Sequence, residues 1–312
     1  MPSERALNFL IFGKYSLQYI HHEISLTFPG NGWISGQMQE ILRSTGHQHT
    51  VSYVRIENRE AVLSEITRVE PTHVINTAGA RGNPNMDWCE THKQETIRSN
   101  IIGAANLADC CFLKGLHLTH FGSGCIYDYD KSHPWGGPGY TEEDEPNFTK
   151  SFYSYTKVTS EKILRHYPNV LILRVRNPIA ADLHPKNMIV KLSQYEKIVN
   201  VPNSGSILPS LLPGALLLAE NNETGVYNFA NPGTFTHNEI MELLKKHVWP
   251  SLSWSNFSEE QRKILQAPRS NLKMDVTKLE KKLHQYGYDL PSSHEAMEEA
   301  FKKVKQLQEA RG

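Results

Sequence analysis

Short apolar runs that alternate with stretches of helical spacing constrain this chain more than any other feature. Residues 7–12 are a short apolar run ending at Gly13, and 49–54, 73–76, 116–121 and 170–175 read as further strands, 73–76 leading to Gly79. Between them, residues 38–44, 59–69, 95–113 and 152–166 carry apolar side chains at helical spacing. Buried strands separated by helices read as βαβ units around a parallel sheet covered on both faces. Right-handed crossovers then reduce the choice of topology to an open, doubly wound sheet.

The expected fold class is therefore α/β, a Rossmann-like doubly wound parallel sheet with a smaller C-terminal substrate lobe. The pattern loosens after Arg176, where Pro, Asn and Ser become frequent. That change divides the chain into a nucleotide-binding domain, 1–176, and a lobe, 177–312, part of which returns to the sheet. Thr236 to Glu239 reads as a capping box opening a helix to about Lys246. Met297, Phe301, Val304 and Leu307 fall on one stripe of a C-terminal helix. Ligands of such folds bind at the carboxyl edge of the sheet, at the switch point of the strand order.

Composition excludes several classes of function. Lys and Arg total 33 and Asp and Glu total 33, a balance unlike that of a nucleic-acid binder or a protein of anionic membranes. With 39% hydrophobic and 21% charged residues the chain has the makings of a packed core. No apolar run approaches the roughly 18 to 20 residues of a membrane span, and the N-terminus lacks the apolar core of a signal peptide. A cytoplasmic protein is expected. Cys89, Cys110, Cys111 and Cys125 lack the spacing of a zinc site or disulfide framework. They are read as free thiols, mostly buried, and no metal site is expected.

Two local patterns carry chemistry. The first is Tyr153 and Lys157, four residues apart on a helix and so on one face. An ammonium beside a phenol favours phenolate and makes the tyrosine usable as a proton donor or acceptor near neutrality. The preceding strand runs into Gly122, Ser123, Gly124 and Cys125, which offers a serine hydroxyl to that phenol. The second pattern is glycine after the first strand: Gly13-Lys14, then Gly30, Gly32 and Gly36. Glycines there let the backbone approach a pyrophosphate at a helix N-terminus. Tyr15 to Pro29 split these glycines, which a tight βα turn does not tolerate.

The order of segments resembles an extended short-chain dehydrogenase/reductase. Several runs are similar to the bifunctional nucleotide-sugar 3,5-epimerase/4-reductases of rhamnose synthesis found in plants and large viruses. These runs are Asn76 to Gly79 with Asp87 to Glu90, Ser123 to Ile126, Ser151 to Ser154, Arg174 to Arg176 and Ile198 to Ser204. Asn228 to Gly233 with His237 to Ile240, and Ala267 to Asn271, complete the set. The likeness covers essentially the whole chain outside 15–30.

The resemblance implies roles residue by residue. Tyr153 and Lys157 match the reductase pair, with Ser123 as hydroxyl partner, so that hydride reaches a C4 ketone while Tyr153 gives the alkoxide its proton. Cys125 matches the catalytic cysteine of epimerase/reductases, and Lys191 its partner lysine. A free thiol near pKa 8.5 and a lysine near about 10.4 need their surroundings to tune them for that work. Gly13, Lys14, Gly32, Trp33 and Ile34 form the dinucleotide turn, and Asn76, Ala78 and Gly79 line the cofactor cleft. Asn100 orders the sheet rather than touching ligand. Arg55, at the end of the second strand where NAD enzymes carry Asp or Glu, suits a 2′-phosphate and favours NADPH over NADH. Asn203 and Arg269 fall to the substrate, Arg269 as a clamp on its diphosphate.

The expected function is NADPH-dependent 3,5-epimerisation and 4-keto reduction of a UDP- or dTDP-linked 4-keto-6-deoxyhexose to the L-rhamnose form. The nucleotide sugar is the expected partner, without nucleic acid or membrane, and a homodimer is left open. Alternatives are a 4-reductase without epimerase activity, an enzyme of GDP sugars, and a catalytically silent Rossmann regulator such as the reductase-like subunit of methionine adenosyltransferase. Segment 15–30 is a lineage-specific loop, a splice variant or a gene-model error. Asn177, Gly205 and Pro209 also depart from the family runs.

Overall fold

β1 (Asn8–Phe12) pairs in parallel with β2 (Gln48–Ser52) on one side and β3 (His73–Asn76) on the other, and β4 (His117–Phe121) lies parallel beside β3. This computed structural model describes residues 8–12, 32–82, 85–262 and 269–310. The sheet continues through β5 (Val170–Val175) to β7 (Gly225–Phe229), in the order β2-β1-β3-β4-β5-β7, while β6 (Lys197–Ile198) pairs with β8 (Ser255–Asn256) elsewhere. The direction of winding reverses between β1 and β3. Their carboxyl ends therefore flank the switch point, as a doubly wound fold requires.

Helices connect the strands. α1 (Trp33–Ser44) and α2 (Arg59–Val69) follow β1 and β2. After β3 come α3 (Trp88–Thr91), α4 (Lys93–Ile97), a π-helical turn (Arg98–Ile102) and α5 (Gly103–Leu113). α6 (Phe152–Leu164) links β4 to β5, followed by α7 (Met188–Leu192), α8 (Leu208–Glu220) and α9 (His237–His247). α10 (Glu259–Arg262), α11 (Thr277–Gln285) and α12 (Ser293–Glu309) close the chain.

The chain builds two units and crosses between them repeatedly. One comprises residues up to 121 with 156–172 and 218–225; the other comprises 122–155, 173–217 and the residues from 226 on. In the first, Leu10, Met38, Leu42, Val62, Val74, Ile75, Leu107 and Leu118 are buried. Strands β3 and β4 are buried at every position, the signature of a sheet covered on both faces.

In the second unit the core joins Ile189, Leu192, Ile207, Phe235, Ile240, Leu244, Met297, Phe301 and Val304. α9 begins at a complete capping box of Thr236 and Glu239, as expected, and α12 begins at another of Ser292 and Glu295. The C-terminal stripe is shorter than expected. Met297, Phe301 and Val304 are fully buried, but Leu307 is 46% exposed because the last turn of α12 runs past the core. All four cysteines are free; Cys89, Cys110 and Cys111 are buried and Cys125 is half-buried. Among the described residues no helix is long and apolar enough to cross a membrane.

The helix expected over 95–113 is interrupted at the π-helical turn. Such turns widen the helix locally and re-aim a side chain. Here the buried Asn100 is turned toward the segment after β3, where its Oδ1 accepts from the Ala80 amide at 2.6 Å and its Nδ2 donates to Ala80 O at 2.9 Å. A third bond runs from Nδ2 to Thr156 Oγ1 at 3.1 Å. Asn100 thus orders the loop leaving the sheet, the role expected for it.

Candidate active site

Within the first unit, the described candidate cofactor residues fall at the head of α1, after β2 and at the end of β3. Gly13 and Lys14 lie outside the described residues. Gly32 is the N-cap of α1, with no side chain capping the helix and no acidic residue in its first turn. A twelve-residue helix that begins this way presents backbone N–H groups and the positive end of its dipole to an anion. Trp33 is buried at its first position and Ile34 half-buried. The helix starts at Trp33, five residues before the apolar spacing from Met38 announced it.

After β3, Asn76 Oδ1 accepts from the Ala78 amide at 2.9 Å while its Nδ2 meets His120 Nδ1 at 2.9 Å. His120 is held well below the ordinary histidine range by burial, with the Lys157 charge adding to the effect. A neutral imidazole is thus fixed as Asn76's partner, which sets the turn at Ala78 and Gly79. A Cβ on Gly79 would stand 3.5 Å from Asn100 Oδ1 and 4.0 Å from Lys157 Nζ. The bare backbone at Gly79 therefore faces a buried ammonium, Lys157 being 6% exposed. These features fit a nicotinamide dinucleotide: an uncapped helix N-terminus for the pyrophosphate, and a side-chain-free strand end beside a lysine.

Arg55 follows β2, as expected, and its side chain is 52% exposed. Its guanidinium donates twice to Glu57 Oε1, at 2.8 and 2.5 Å. An acidic residue thus stands two positions beyond Arg55 and holds it.

Within the second unit, the loop after β4 carries two reactive side chains. The Gly122 amide bonds to Leu173 O at 2.8 Å and the Gly124 amide to Val175 O at 2.9 Å, so the segment runs beside the end of β5. Two residues apart on an extended strand, Ser123 and Cys125 would share one face. Instead the chain bends at Gly124 and turns at Cys125. A Cβ on Gly124 would meet Met274 at 3.0 Å and Arg176 Cβ at 3.3 Å, a fit tight enough that a side chain there would have to shift its neighbours.

The turn gives the two side chains different partners. Ser123 Oγ accepts from the Tyr153 hydroxyl at 3.4 Å and from the Cys125 amide at 3.1 Å. Cys125 Sγ accepts from Arg176 Nη1 at 2.8 Å. Tyr153 sits in the first turn of α6 and Lys157 one turn on, at the i and i+4 spacing that puts both on one helix face.

Arg176 is the residue that the sequence reading quoted but gave no role. It is 6% exposed, and its Nη2 donates to Asn203 Oδ1 at 2.7 Å and to Ser270 O at 2.5 Å. A charged residue directly after six fully buried strand positions was the available signal, since buried charge demands partners. His237 lies in the field of Arg176; burial first, then that charge, lowers its pKa to about 4, and its Nδ1 has no partner among the described residues. Arg174 is bound into a separate buried network, to Asn228 Oδ1 at 3.2 Å and over the Tyr127 ring at 5.4 Å.

The expected substrate residues divide. Asn203 is buried and wholly engaged, with Arg176, the Leu272 amide, Val201 O and Asn271 Oδ1 around it. It orders the site from beneath. Arg269 is half-buried, and its carbonyl accepts from Asn271 Nδ2 at 3.3 Å. Lys191, half-buried, lies on α7, which packs against α9.

Comparison with known proteins agrees with this geometry. The model of the NAD dependent epimerase/dehydratase family matches residues 31–194. The chain is 47% identical over 280 residues to the bifunctional dTDP-4-dehydrorhamnose 3,5-epimerase/dTDP-4-dehydrorhamnose reductase of Arabidopsis thaliana, covering 89% of this chain and 88% of that protein. It is 46% identical to an Arabidopsis thaliana trifunctional UDP-glucose 4,6-dehydratase/UDP-4-keto-6-deoxy-D-glucose 3,5-epimerase/UDP-4-keto-L-rhamnose-reductase, covering 90% of this chain and 40% of that longer protein. The crystal structure of the L780 UDP-rhamnose synthase from Acanthamoeba polyphaga mimivirus superposes with a TM-score of 0.83 at 32% identity, covering 96% of this chain and 100% of that one. The chain belongs to the NAD dependent epimerase/dehydratase family, among the extended short-chain dehydrogenase/reductase enzymes that act as epimerase/reductases in rhamnose synthesis.

Proposed function

We propose that the chain converts a nucleotide-linked 4-keto-6-deoxyhexose to nucleotide-L-rhamnose by epimerisation at C3 and C5 and NADPH-dependent reduction at C4. The observation that carries this reading is the double engagement of Ser123, whose Oγ accepts from both Tyr153 and the Cys125 amide. The serine that holds the Tyr153 hydroxyl and the thiol that serves epimerisation stand two residues apart on one loop, with Tyr153 brought to it from α6.

When bound, the nicotinamide supplies hydride to the C4 carbonyl carbon. Tyr153 gives its phenolic proton to the C4 oxygen, with Ser123 orienting the phenol. Lys157, one turn along α6, favours the phenolate that remains. Before reduction, the protons at C3 and C5 are acidic because they flank the C4 ketone. Cys125 and Lys191 remove and return them as the acid–base pair. Gly32, Trp33 and Ile34 would hold the pyrophosphate of the dinucleotide, and Asn76, Ala78 and Gly79 would line its cleft. Arg55 turns from Glu57 to the 2′-phosphate, which favours NADPH, and Arg269 faces the substrate diphosphate.

The relatives' names carry both dTDP and UDP sugars, so the test offers both. The purified chain is incubated with NADPH and either UDP- or dTDP-4-keto-6-deoxyglucose, and the products are identified by NMR. Nucleotide-L-rhamnose from at least one is expected. NADPH binding without turnover of either would leave a silent nucleotide-binding protein.

A further inference from the structure

Arg176 is a buried guanidinium whose hydrogen-bond partners are a thiol sulfur and two amide oxygens: Cys125 Sγ, Asn203 Oδ1 and the Ser270 carbonyl. Among the described residues no carboxylate stands within ion-pair distance of it. The charged and titratable groups that face it do not neutralise it. Burial pushes the Tyr129 phenol up to about 12, and that hydroxyl donates to Pro202 O. His237 is neutral. Asp128 acts at longer range, its own carboxyl raised by burial and its Oδ1 taken by the Asn271 amide. A guanidinium out of water without a counter-anion is costly. The one partner that can become an anion is the Cys125 sulfur.

We propose that Arg176 is the positioning residue that holds Cys125 as a sulfur anion, ready to take a proton from carbon; this rests on the reading of Cys125 as the epimerisation acid–base. Asn203 and Ser270 O fix Nη2, so Nη1 is aimed at Sγ before substrate arrives. Register explains the pairing: the Gly124 amide on Val175 O sets residue 125 beside residue 176. In the step itself the C3–H or C5–H bond breaks, its proton forms S–H, and its electron pair passes to the C4 carbonyl oxygen. Inversion follows when Lys191 gives a proton to the opposite face of that carbon and the enolate electron pair re-forms the C4 carbonyl; loss of the S–H proton to water restores the sulfur anion and its bond to Arg176.

The test reads the thiolate directly. Alkylation of Cys125 by iodoacetamide is followed by mass spectrometry across pH in wild type, Arg176→Gln and Arg176→Lys. Arg176→Gln is expected to move the midpoint upward by about one pH unit or more, the scale of a lost neighbouring cation. Arg176→Lys moves it less, because an ammonium cannot span three acceptors in a fixed fork. At pH 7 the glutamine variant's exchange of sugar C3 and C5 hydrogens with deuterated water falls about tenfold relative to hydride transfer, and recovers at higher pH. A midpoint unchanged in Arg176→Gln would overturn the proposal. Should that variant not fold, difference infrared of wild type against Cys125→Ser decides: absence of an S–H stretch at pH 7.5 supports the anion, and its presence overturns it. Full exchange by Cys125→Ser would instead sink the acid–base reading, while a shifted midpoint would still establish the pairing.

Discussion

The Tyr153 hydroxyl donates to Ser123 Oγ across 3.4 Å, joining the first turn of α6 to the loop that leaves β4. This bond is long enough that its loss leaves the fold standing, and it aims the phenol where a carbonyl oxygen would be protonated. Tyr153→Phe should reduce C4 reduction by on the order of 10²-fold or more, the range of general acid catalysis. NADPH oxidation by the purified variant checks it, with circular dichroism showing an intact fold.

Segment 15–30 lies outside the described residues, but the head of α1 that follows it does not. Gly32 leaves that helix uncapped, the arrangement an anion needs. Deleting residues 15–30 joins Gly13-Lys14 to Asn31 and Gly32 and recreates a compact glycine turn. NADPH affinity, measured by fluorescence titration, should rise or stay the same. Loss of binding in a folded deletion variant would make the segment part of the site.

Gly205 is a packing requirement. A Cβ there would meet the Phe235 ring at 2.2 and 2.3 Å, and both residues are buried. Overfilling a core of this kind costs about 1–3 kcal/mol. Gly205→Ala should lower stability by that amount in urea unfolding, and trimming the ring in Gly205→Ala/Phe235→Leu should recover part of it.

Acid should weaken the first unit through His73. Burial, with the neighbouring His117, lowers its pKa to about 4 from 6.5. Above pH 6.5 folded and unfolded forms are both neutral there. As pH falls from 6.5 to 4 the unfolded chain takes up a proton that the folded chain refuses, so stability declines over that window and levels off below it. The depression corresponds to roughly 3 kcal/mol at most. In unfolding curves at successive pH values, His73→Gln should flatten the decline by up to that amount; parallel wild-type and variant profiles would contradict it.

Strand placement was legible from short apolar runs inside buried parallel strands, Val74-Ile75 in β3 and Val170 to Leu173 in β5, although β3 and β4 also bury His73, Asn76, His117 and His120. The shared helix face of Tyr153 and Lys157 was legible because the i and i+4 spacing survives in any helix. Three things were not. The π-helical turn at Arg98–Ile102 depends on Asn100 reaching Ala80, a contact twenty residues away that periodicity does not encode. Leu307 matches the stripe of Met297 and Val304 but has no core left to cover it. The pairing of Cys125 with Arg176 arises from strand register between segments fifty-one residues apart, where sequence alone offered only a cysteine near a serine and an arginine after a buried strand.

The central claim is that Cys125 serves epimerisation while Tyr153, held by the Ser123 two residues away, serves reduction, and deuterium separates the two. Wild type and Cys125→Ser are incubated in deuterated water with NADPH and the 4-keto-6-deoxyglucose nucleotide that the chain accepts, and products are read by NMR. Wild type should give nucleotide-L-rhamnose carrying deuterium at C3 and C5. The serine, whose hydroxyl ionises far above working pH, should give almost no deuterium at either carbon while still reducing a substrate supplied already epimerised. Wild-type deuterium at both carbons in the Cys125→Ser product would contradict the account and return Cys125 to a packing role.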